Sequence, residues 1–330
     1  MEDNSTRTPA VSIGLPVFNG ERYLEETIRS ILGQSYRDLE LVVCDNASTD
    51  ATAEICTRHA AADPRLRYHR QPRNLGAGPN YDDCFHRARG RYFKWAAHDD
   101  LLAPDYLKLA VAALERVPQA VLCTMGITEI GPNGAVMRSY RNHFPGVDGD
   151  SPARRLAAVI HTEHQCEDFF GLFRREALVG SSLHGTRSGS DRVLLAEMAL
   201  RGPWVSVPDP LFLHREHPYR YTRAVLLKDR HAAALWQDTS APQRPSTLFH
   251  WGVYREYWRV VRRNVRDPAM RRRCELELLR WWLTCDHASD TARDFMNVYS
   301  PGLFAALRAA KRRVFGVSRP TRPGSLPHVE

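Results

Sequence analysis

The chain has 330 residues, 43% of them hydrophobic and 25% charged, as in ordinary soluble proteins of one large or two smaller domains. No run approaches the roughly 18 apolar residues of a membrane-spanning helix. Met1–Ala10 is polar and flexible in character and lacks the apolar core of a secretory signal, so a cytoplasmic location is expected. The net charge of +8 is uneven: residues 1–220 hold 26 Lys/Arg against 28 Asp/Glu, and residues 221–330 hold 20 against 10. The basic last third therefore points to an anionic partner such as a membrane surface or an acidic substrate.

In chain order, strand and helix signals alternate over the first 125 residues, the pattern of a βαβ sheet. Val11–Leu15 reads as a strand broken at Pro16 and at the turn pair Asn19-Gly20. Tyr23, Leu24, Thr27, Ile28, Ile31 and Leu32 recur at helical spacing. Leu39–Cys44 is a second strand, and the polar turn Asp45–Asp50 leads into a helix to about Ala62. Leu66–Arg70 predicts a third strand, Asn74–Asn80 a loop opening a helix to about Arg89, and Tyr92–Trp95 a fourth strand. A helix over Pro104–Val117 and a strand at Ala120–Thr124 follow. Beyond Gly126 the pattern predicts a hairpin around Gly131–Gly134, a helix over Pro152–Ile160, a buried strand at Asp168–Phe173, and a helix over Asp191–Leu200. Two short strands follow at Trp204–Val207 and Leu211–His214, then Arg- and Trp-rich helices from about Ala224. Seven scattered cysteines, with no zinc or redox spacing, read as reduced thiols, most of them in the core.

The most informative residues are Asp99 and Asp100. They lie where the fourth strand ends, and ligands of open α/β sheets gather at the carboxyl ends of strands. Paired carboxylates there can hold a hard divalent ion that grips phosphate oxygens. An isolated Asp-Asp pair is more often a solvated turn. Four elements in register change that balance: Pro16-Val-Phe-Asn19, Asp45–Asp50, Asn74-Leu-Gly76 and His98-Asp-Asp100, continuing into Gly189-Ser-Asp191 and Arg215-Glu-His217.

In this order and spacing the chain resembles the family-2 glycosyltransferases, nucleotide-sugar enzymes of GT-A fold, over roughly Val11–Arg220. The resemblance implies an α/β fold, a GT-A catalytic unit over residues 11–222 with a nucleotide-sugar half (11–125) and an acceptor half (126–222). A basic helical region (223–318) and a disordered tail (319–330) would follow. It implies that Pro16, Val17, Phe18 and Asn19 line the nucleotide pocket, that Asp45 accepts a hydrogen bond from a pyrimidine base, and that Asn74 and Gly76 lie near the diphosphate. Relatives often carry a second Asp before Asp45, where this chain has Cys44. Asp99 would face the ribose or its phosphate side, Arg215 would pair with phosphate, and Asp100 would hold Mn²⁺ or Mg²⁺, with His217 as a diphosphate contact or further ligand. Asp191 is the candidate general base, although Asp is also a favoured first-turn helix residue.

The implied reaction is transfer of a sugar from a UDP- or dTDP-linked donor to a glycan, lipid-linked or small-molecule acceptor, by inverting single displacement. The alternative is a catalytically inactive nucleotide-sugar-binding partner in a glycan-assembly complex. A dehydrogenase would carry GxGxxG after the first strand, and a nucleotidyltransferase a Gly-rich basic loop; Pro16–Gly20 is neither. No nucleic-acid-binding motif accompanies the C-terminal arginines, so no nucleic acid is expected. The amphipathic run Leu303–Phe315 gives the expectation of peripheral membrane contact, against a helix that packs on the catalytic unit.

Overall fold

The computed structural model of the chain describes residues 8–187, 189–220, 230–240 and 249–284, with scattered positions between 289 and 302. The first seven residues, the run at 303–315 and the tail at 319–330 lie outside the described residues.

One mixed sheet of nine strands organises the fold. Strands β1 (Val11–Val17), β2 (Leu39–Asp45), β3 (Leu66–Arg70) and β4 (Tyr92–Trp95) run parallel in the order β3-β2-β1-β4. Beyond β4 come β8 (Leu172–Arg174), β6 (Leu122–Ile130), β9 (Trp204–Arg215) and the two-residue β5 (Leu101–Leu102), with β7 (Val136–Tyr140) paired to β6. Residues in β1 and β2 are buried on both faces, as parallel strands require.

Helices cover both faces. On one lie α1 (Leu24–Leu32), α2 (Thr52–Ala62) and α4 (Tyr106–Arg116), whose buried residues join Ile13, Leu15, Leu41 and Val43 in one core. On the other lie α3 (Ala77–Arg87), α5 (Pro152–Ile160) and α7 (Ser190–Arg201), which meet Val42, Phe93 and Trp95; the short α6 (Arg175–Leu178) follows β8. Helix α7 is apolar nearly all round because it lies between two layers. Leu194, Leu195, Met198 and Ala199 face the sheet, whereas Val193, Ala196 and Leu200 face α9 (Phe249–Asn264) and α10 (Pro268–Thr284). The C-terminal helices thus pack on the layer that α5 and α7 form. Helix α8 (Arg230–Gln237) lies apart from them, beside α3.

Four expectations change. The first strand continues through Pro16, because β4 pairs with β1 only as far as Gly14, leaving that side of Pro16 without a ladder to break. The strands expected at 120–124 and at 128 are one strand, β6, which keeps Gly126 where a Cβ would meet the Pro208 and Asp209 carbonyls. The two expected at 204–207 and 211–214 are also one, β9, irregular in register at Pro208 and Pro210. The stretch expected as a strand from Asp168 instead makes a single 3-10 turn, Glu167–Phe170, before β8.

Candidate active site

The carboxyl ends of β1, β2 and β4 share one edge, and three loops meet there. The loop after β1 is stitched to the loop after β2: the Asn19 N–H donates to Ser48 Oγ, Gly20 N–H to Thr52 Oγ1, and Thr49 N–H to Asn19 Oδ1, each at 2.9 Å. Asn19 and Ala47 adopt left-handed backbone to make these turns. Pro16 and Val17 are buried, whereas Phe18 and Asn19 are exposed at the tip.

Asn46 performs the equivalent task for the third loop. Its amide donates to Asn74 Oδ1 (2.9 Å) and Gly76 O (3.0 Å) and accepts from Leu75 N–H (2.9 Å). Gly76 has φ +91°, and a Cβ there would lie 2.7 Å from Gln237 O and Asp238 Cα. Its small size therefore admits the end of α8, while Thr239 Oγ1 donates to Asn74 O at 3.0 Å.

Asp45 faces inward. It is fully buried; Oδ1 accepts from Ser48 N–H (2.8 Å) and Oδ2 from Tyr68 Oη (2.7 Å), with Arg70 Nε at 3.6 Å. Burial, then this carboxylate, pushes the Tyr68 phenol up. The carboxylate keeps unused lone pairs, but a nucleobase would reach them only after the side chains around it move. Strand β1 separates β2 from β4, so Asp45 stands about 10 Å along the sheet edge from the acid turn.

The acid turn itself is a tight cluster. Asp100 Oδ1 accepts the Arg215 N–H at 2.8 Å and lies 3.4 Å from His214 Nδ1. Asp99 Oδ2 is 2.9 Å from His217 Nε2. Burial opposes ionisation of Asp99, but the His98 charge, the His217 bond and Arg220 outweigh it and hold its carboxyl below the ordinary range. Burial would depress His214, yet neighbouring Asp100 leaves it raised. Arg215 is committed within the protein: Nε donates to Asp99 O (2.9 Å), Nη1 to Pro132 O (3.1 Å) and Nη2 to Glu26 (2.7 Å), and the guanidinium stacks over Tyr23. It acts as a strut between β9, the acid turn and α1. The basic side chain closer to an open position is Arg220, which touches His214 Nε2 (2.5 Å) and Glu216 (3.1 Å) within the field of both aspartates.

Asp191 occupies the first turn of α7, after Gly189 in left-handed backbone. Its Oδ1 accepts the Arg192 N–H at 2.8 Å, and the buried Cys166 thiol lies beside it. Tyr81, on α3, lies within the fields of both this carboxylate and the acid turn. Burial first, then the fields of Asp99, Asp100 and Asp191 together, raise its phenol. Its ring stacks on His184 at 4.3 Å. Of the residues marked in the sequence, Asp99, Asp100, Arg215 and His217 thus form one bonded cluster, and Asp191 lies near enough to act on the same Tyr81 phenol. Phe18, Asn19, Asn74 and Gly76 lie in the loops of that edge, and Asp45 lies beneath them. Tyr81, Arg220 and Asn46 were not singled out: Tyr81 belongs to a plain helical pattern and Arg220 to no motif, whereas Asn46 stood inside one.

A divalent ion is the group that the family resemblance implies here. If Nε2–H is donated to Asp99, a neutral His217 would keep a lone pair on Nδ1, an atom that is buried and has no partner among the described residues. A carboxylate behind an imidazole is the usual second shell of a metal-binding histidine. Asp100 Oδ2 is a hard oxygen in the same turn. These two groups fit a cation, but no set of three or more ligating side chains occurs among the described residues. Phosphate oxygens and water would have to complete the shell.

Residues 12–179 match the Glycosyl transferase family 2 profile, half of the chain, and the chain belongs to that family. It is similar to the chondroitin synthase of Escherichia coli, at 37% identity over 105 residues covering 32% of this chain and 15% of that protein. The chain spans between 12% and 40% of the length of the curated relatives it matches. Among solved structures, Staphylococcus aureus TarS 1-349 in complex with UDP-GlcNAc superposes with a TM-score of 0.59 at 17% identity, over 83% of this chain and 72% of that one. The mannosyltransferase PcManGT from Pyrobaculum calidifontis, in complex with GDP-Man and Mn²⁺, gives 0.50 at 18% identity, over 94% and 82%. At these identities the likeness shows the fold, which is GT-A. No helix among the described residues is long and apolar enough to cross a membrane.

Proposed function

We propose that this glycosyltransferase moves a sugar from a UDP- or dTDP-linked donor to an acceptor hydroxyl with inversion, in one displacement assisted by Mn²⁺ or Mg²⁺. The observation that carries the reading is the bonded cluster of Asp99, Asp100, Arg215 and His217 at the carboxyl edge of the sheet, with Asp191 near enough that its field and those of Asp99 and Asp100 act on the same Tyr81 phenol. The catalytic unit is residues 11–222, and six free cysteines among the described residues favour a reducing, cytoplasmic setting.

The acceptor oxygen attacks the anomeric carbon, the bond from that carbon to the phosphate oxygen breaks, and the hydroxyl proton passes to the Asp191 carboxylate. The electron pair leaves with the nucleoside diphosphate. Asp100 Oδ2 and His217 Nδ1 would hold the divalent ion, which when bound offsets charge growing on the leaving diphosphate. Asp99 fixes the His217 tautomer, and the Arg215 N–H fixes Asp100. Arg220 replaces Arg215 as the arginine placed to meet phosphate oxygens. Phe18 and Asn19 present the tip that meets the nucleotide, with Asn74 and Gly76 set by Asn46 beside it; Pro16, Val17 and Asp45 support them from below. The acceptor, a glycan end, a lipid-linked glycan or a small molecule, would lie against Glu167–Arg175 and Gly185–Asp191.

The test is a thermal-shift panel of UDP, dTDP and GDP with Mn²⁺, Mg²⁺ or chelator. Because the described residues offer two ligands, Mn²⁺ alone should move Tm little, and UDP or dTDP with Mn²⁺ much more. Asp100→Ala should abolish the metal-dependent increment. An increment that survives in that variant removes Asp100 from the site; a preference for GDP removes the pyrimidine assignment. Metal-dependent donor hydrolysis by the wild type would separate an enzyme from an inactive binding partner.

A further inference from the structure

Helix α10 has two apolar faces. Cys274, Leu278 and Trp281 point inward to α5, α7 and α9. Leu276, Leu279 and Leu283 point outward and are 64%, 45% and 65% exposed. Their spacing of three and four residues, continued backward by Arg272, makes one stripe along the helix, about 16 Å long. No other element covers the stripe among the described residues, and three leucines in line are more than the scattered exposed apolar residue that surfaces tolerate.

The charge around this stripe is mainly basic. Residues 249–284 carry nine arginines and four acidic residues. Arg272, Arg273 and Arg280 flank the leucines and are exposed. At the amino end of the stripe, Arg262, Arg271 and Arg272 line a cleft of about 390 Å³ with Pro268 and Glu275. Arg271 is partly engaged, donating to Val265 O and Arg266 O, and Glu275 stands 3.8 Å from Arg262. Among the described residues Arg272 makes no hydrogen bond or ion pair.

We infer that the outward face of α10 docks on an anionic lipid bilayer, its three leucines entering the interface while the flanking arginines meet lipid phosphates. Apolar residues on one line with arginines on either side are the composition of interfacial helices. A second copy of this chain fits poorly, because a two-fold contact would set the arginine cluster against itself. A nucleic acid would use the arginines but not the leucines. The inference is independent of the proposed donor and metal. It also places membrane contact on a face other than the run at 303–315.

The test is sedimentation of the full chain with vesicles of phosphatidylglycerol and phosphatidylcholine, against phosphatidylcholine alone. The wild type should pellet only with the anionic vesicles, and less as salt rises. Each arginine near the surface contributes roughly fivefold in binding, so Arg272→Gln/Arg273→Gln/Arg280→Gln should weaken it about a hundredfold. Leu276→Asp/Leu279→Asp/Leu283→Asp should weaken it at least as much, with donor hydrolysis in vesicle-free buffer unchanged. Wild-type protein that stays in the supernatant, or leucine and arginine variants that pellet as the wild type does, would overturn the inference. So would a wild-type dimer that the leucine variant converts to monomer, since the stripe would then be a contact between copies.

Discussion

The carboxyl edge of the sheet and the helical layer behind it are held by different forces. At the edge, loops are bound to one another through Asn19, Asn46, Ser48 and Thr52, side chain to backbone. Behind it, α5, α7, α9 and α10 pack through Val, Leu, Tyr and Trp, with two buried charges, Arg155 and Glu197, at the junctions. The first arrangement fixes polar groups in place before a ligand arrives, which is how an active site avoids reorganisation during reaction. The second makes a rigid backing for α7, whose first turn carries Asp191. The contrast predicts that changes at the edge alter chemistry more than stability, and changes behind it the reverse.

The largest effect should come from Asp191→Asn. Loss of a general base lowers kcat by about 10²–10⁴-fold, while the donor affinity and Tm should stay close to wild type, because the amide can still accept the Arg192 N–H. A variant with unimpaired turnover would return Asp191 to helix capping.

Glu197→Ala tests the other side of the contrast. This carboxylate accepts from Ser182 N–H and Oγ (both 2.8 Å), Arg201 (2.8 Å), Arg263 (2.6 Å) and Asn264 (3.0 Å). Burial alone would raise its pKa, but these donors lower it. Breaking a buried ion pair costs about 3–5 kcal/mol, and the partial exposure of Arg263 favours the low end. Denaturant unfolding should show the loss. A change under about 1 kcal/mol would make the knot an ordinary surface ion pair.

Gly76→Ala should cost less. Its backbone conformation suits glycine, and a methyl group would overlap α8, so about 1–3 kcal/mol of strain and overpacking follows. The signature is cleavage within 230–240 by a dilute protease at a rate above wild type. Protection equal to wild type would show that α8 does not depend on this glycine.

The sequence revealed the edge more fully than the backing. Strand ends at 45 and 95, and the turn at 99–100, were legible because apolar runs stop there at polar residues. The course of β6 and β9 was not, because Gly126, Pro208 and Pro210 interrupt the alternation that marks a strand, and only the mutual pairing of the two shows why they are tolerated. Arg215 stood in the expected motif, yet its donors serve Asp99, Pro132 and Glu26, contacts up to 189 residues apart that no local pattern encodes. The helical character of α9 and α10 was readable, but not which face is buried, since α10 is apolar on both.

A further effect should be a pH dependence at the meeting point of the two regions. Asp168 is buried in the 3-10 turn beside Glu167, and Asn142 donates to both, at 2.6 Å to Asp168 and 3.1 Å to Glu167. Burial, with Glu167 adding to it and against the Asn142 bond, pushes the Asp168 carboxyl up from 3.8 to about 7. The folded chain therefore keeps a proton that the unfolded chain releases between those values. There the folded state binds more protons, so this group's contribution to stability falls as pH rises. Asp168→Asn removes that slope while leaving an acceptor for Asn142. The Tm of the variant minus that of the wild type should then grow steadily from about pH 4 to pH 7. His164, lowered to about 4 by burial and Arg192, has the opposite slope, but it is common to both proteins and cancels in the difference. A difference that is flat across this range would mean that Asp168 ionises as an ordinary carboxylate and that water reaches the turn.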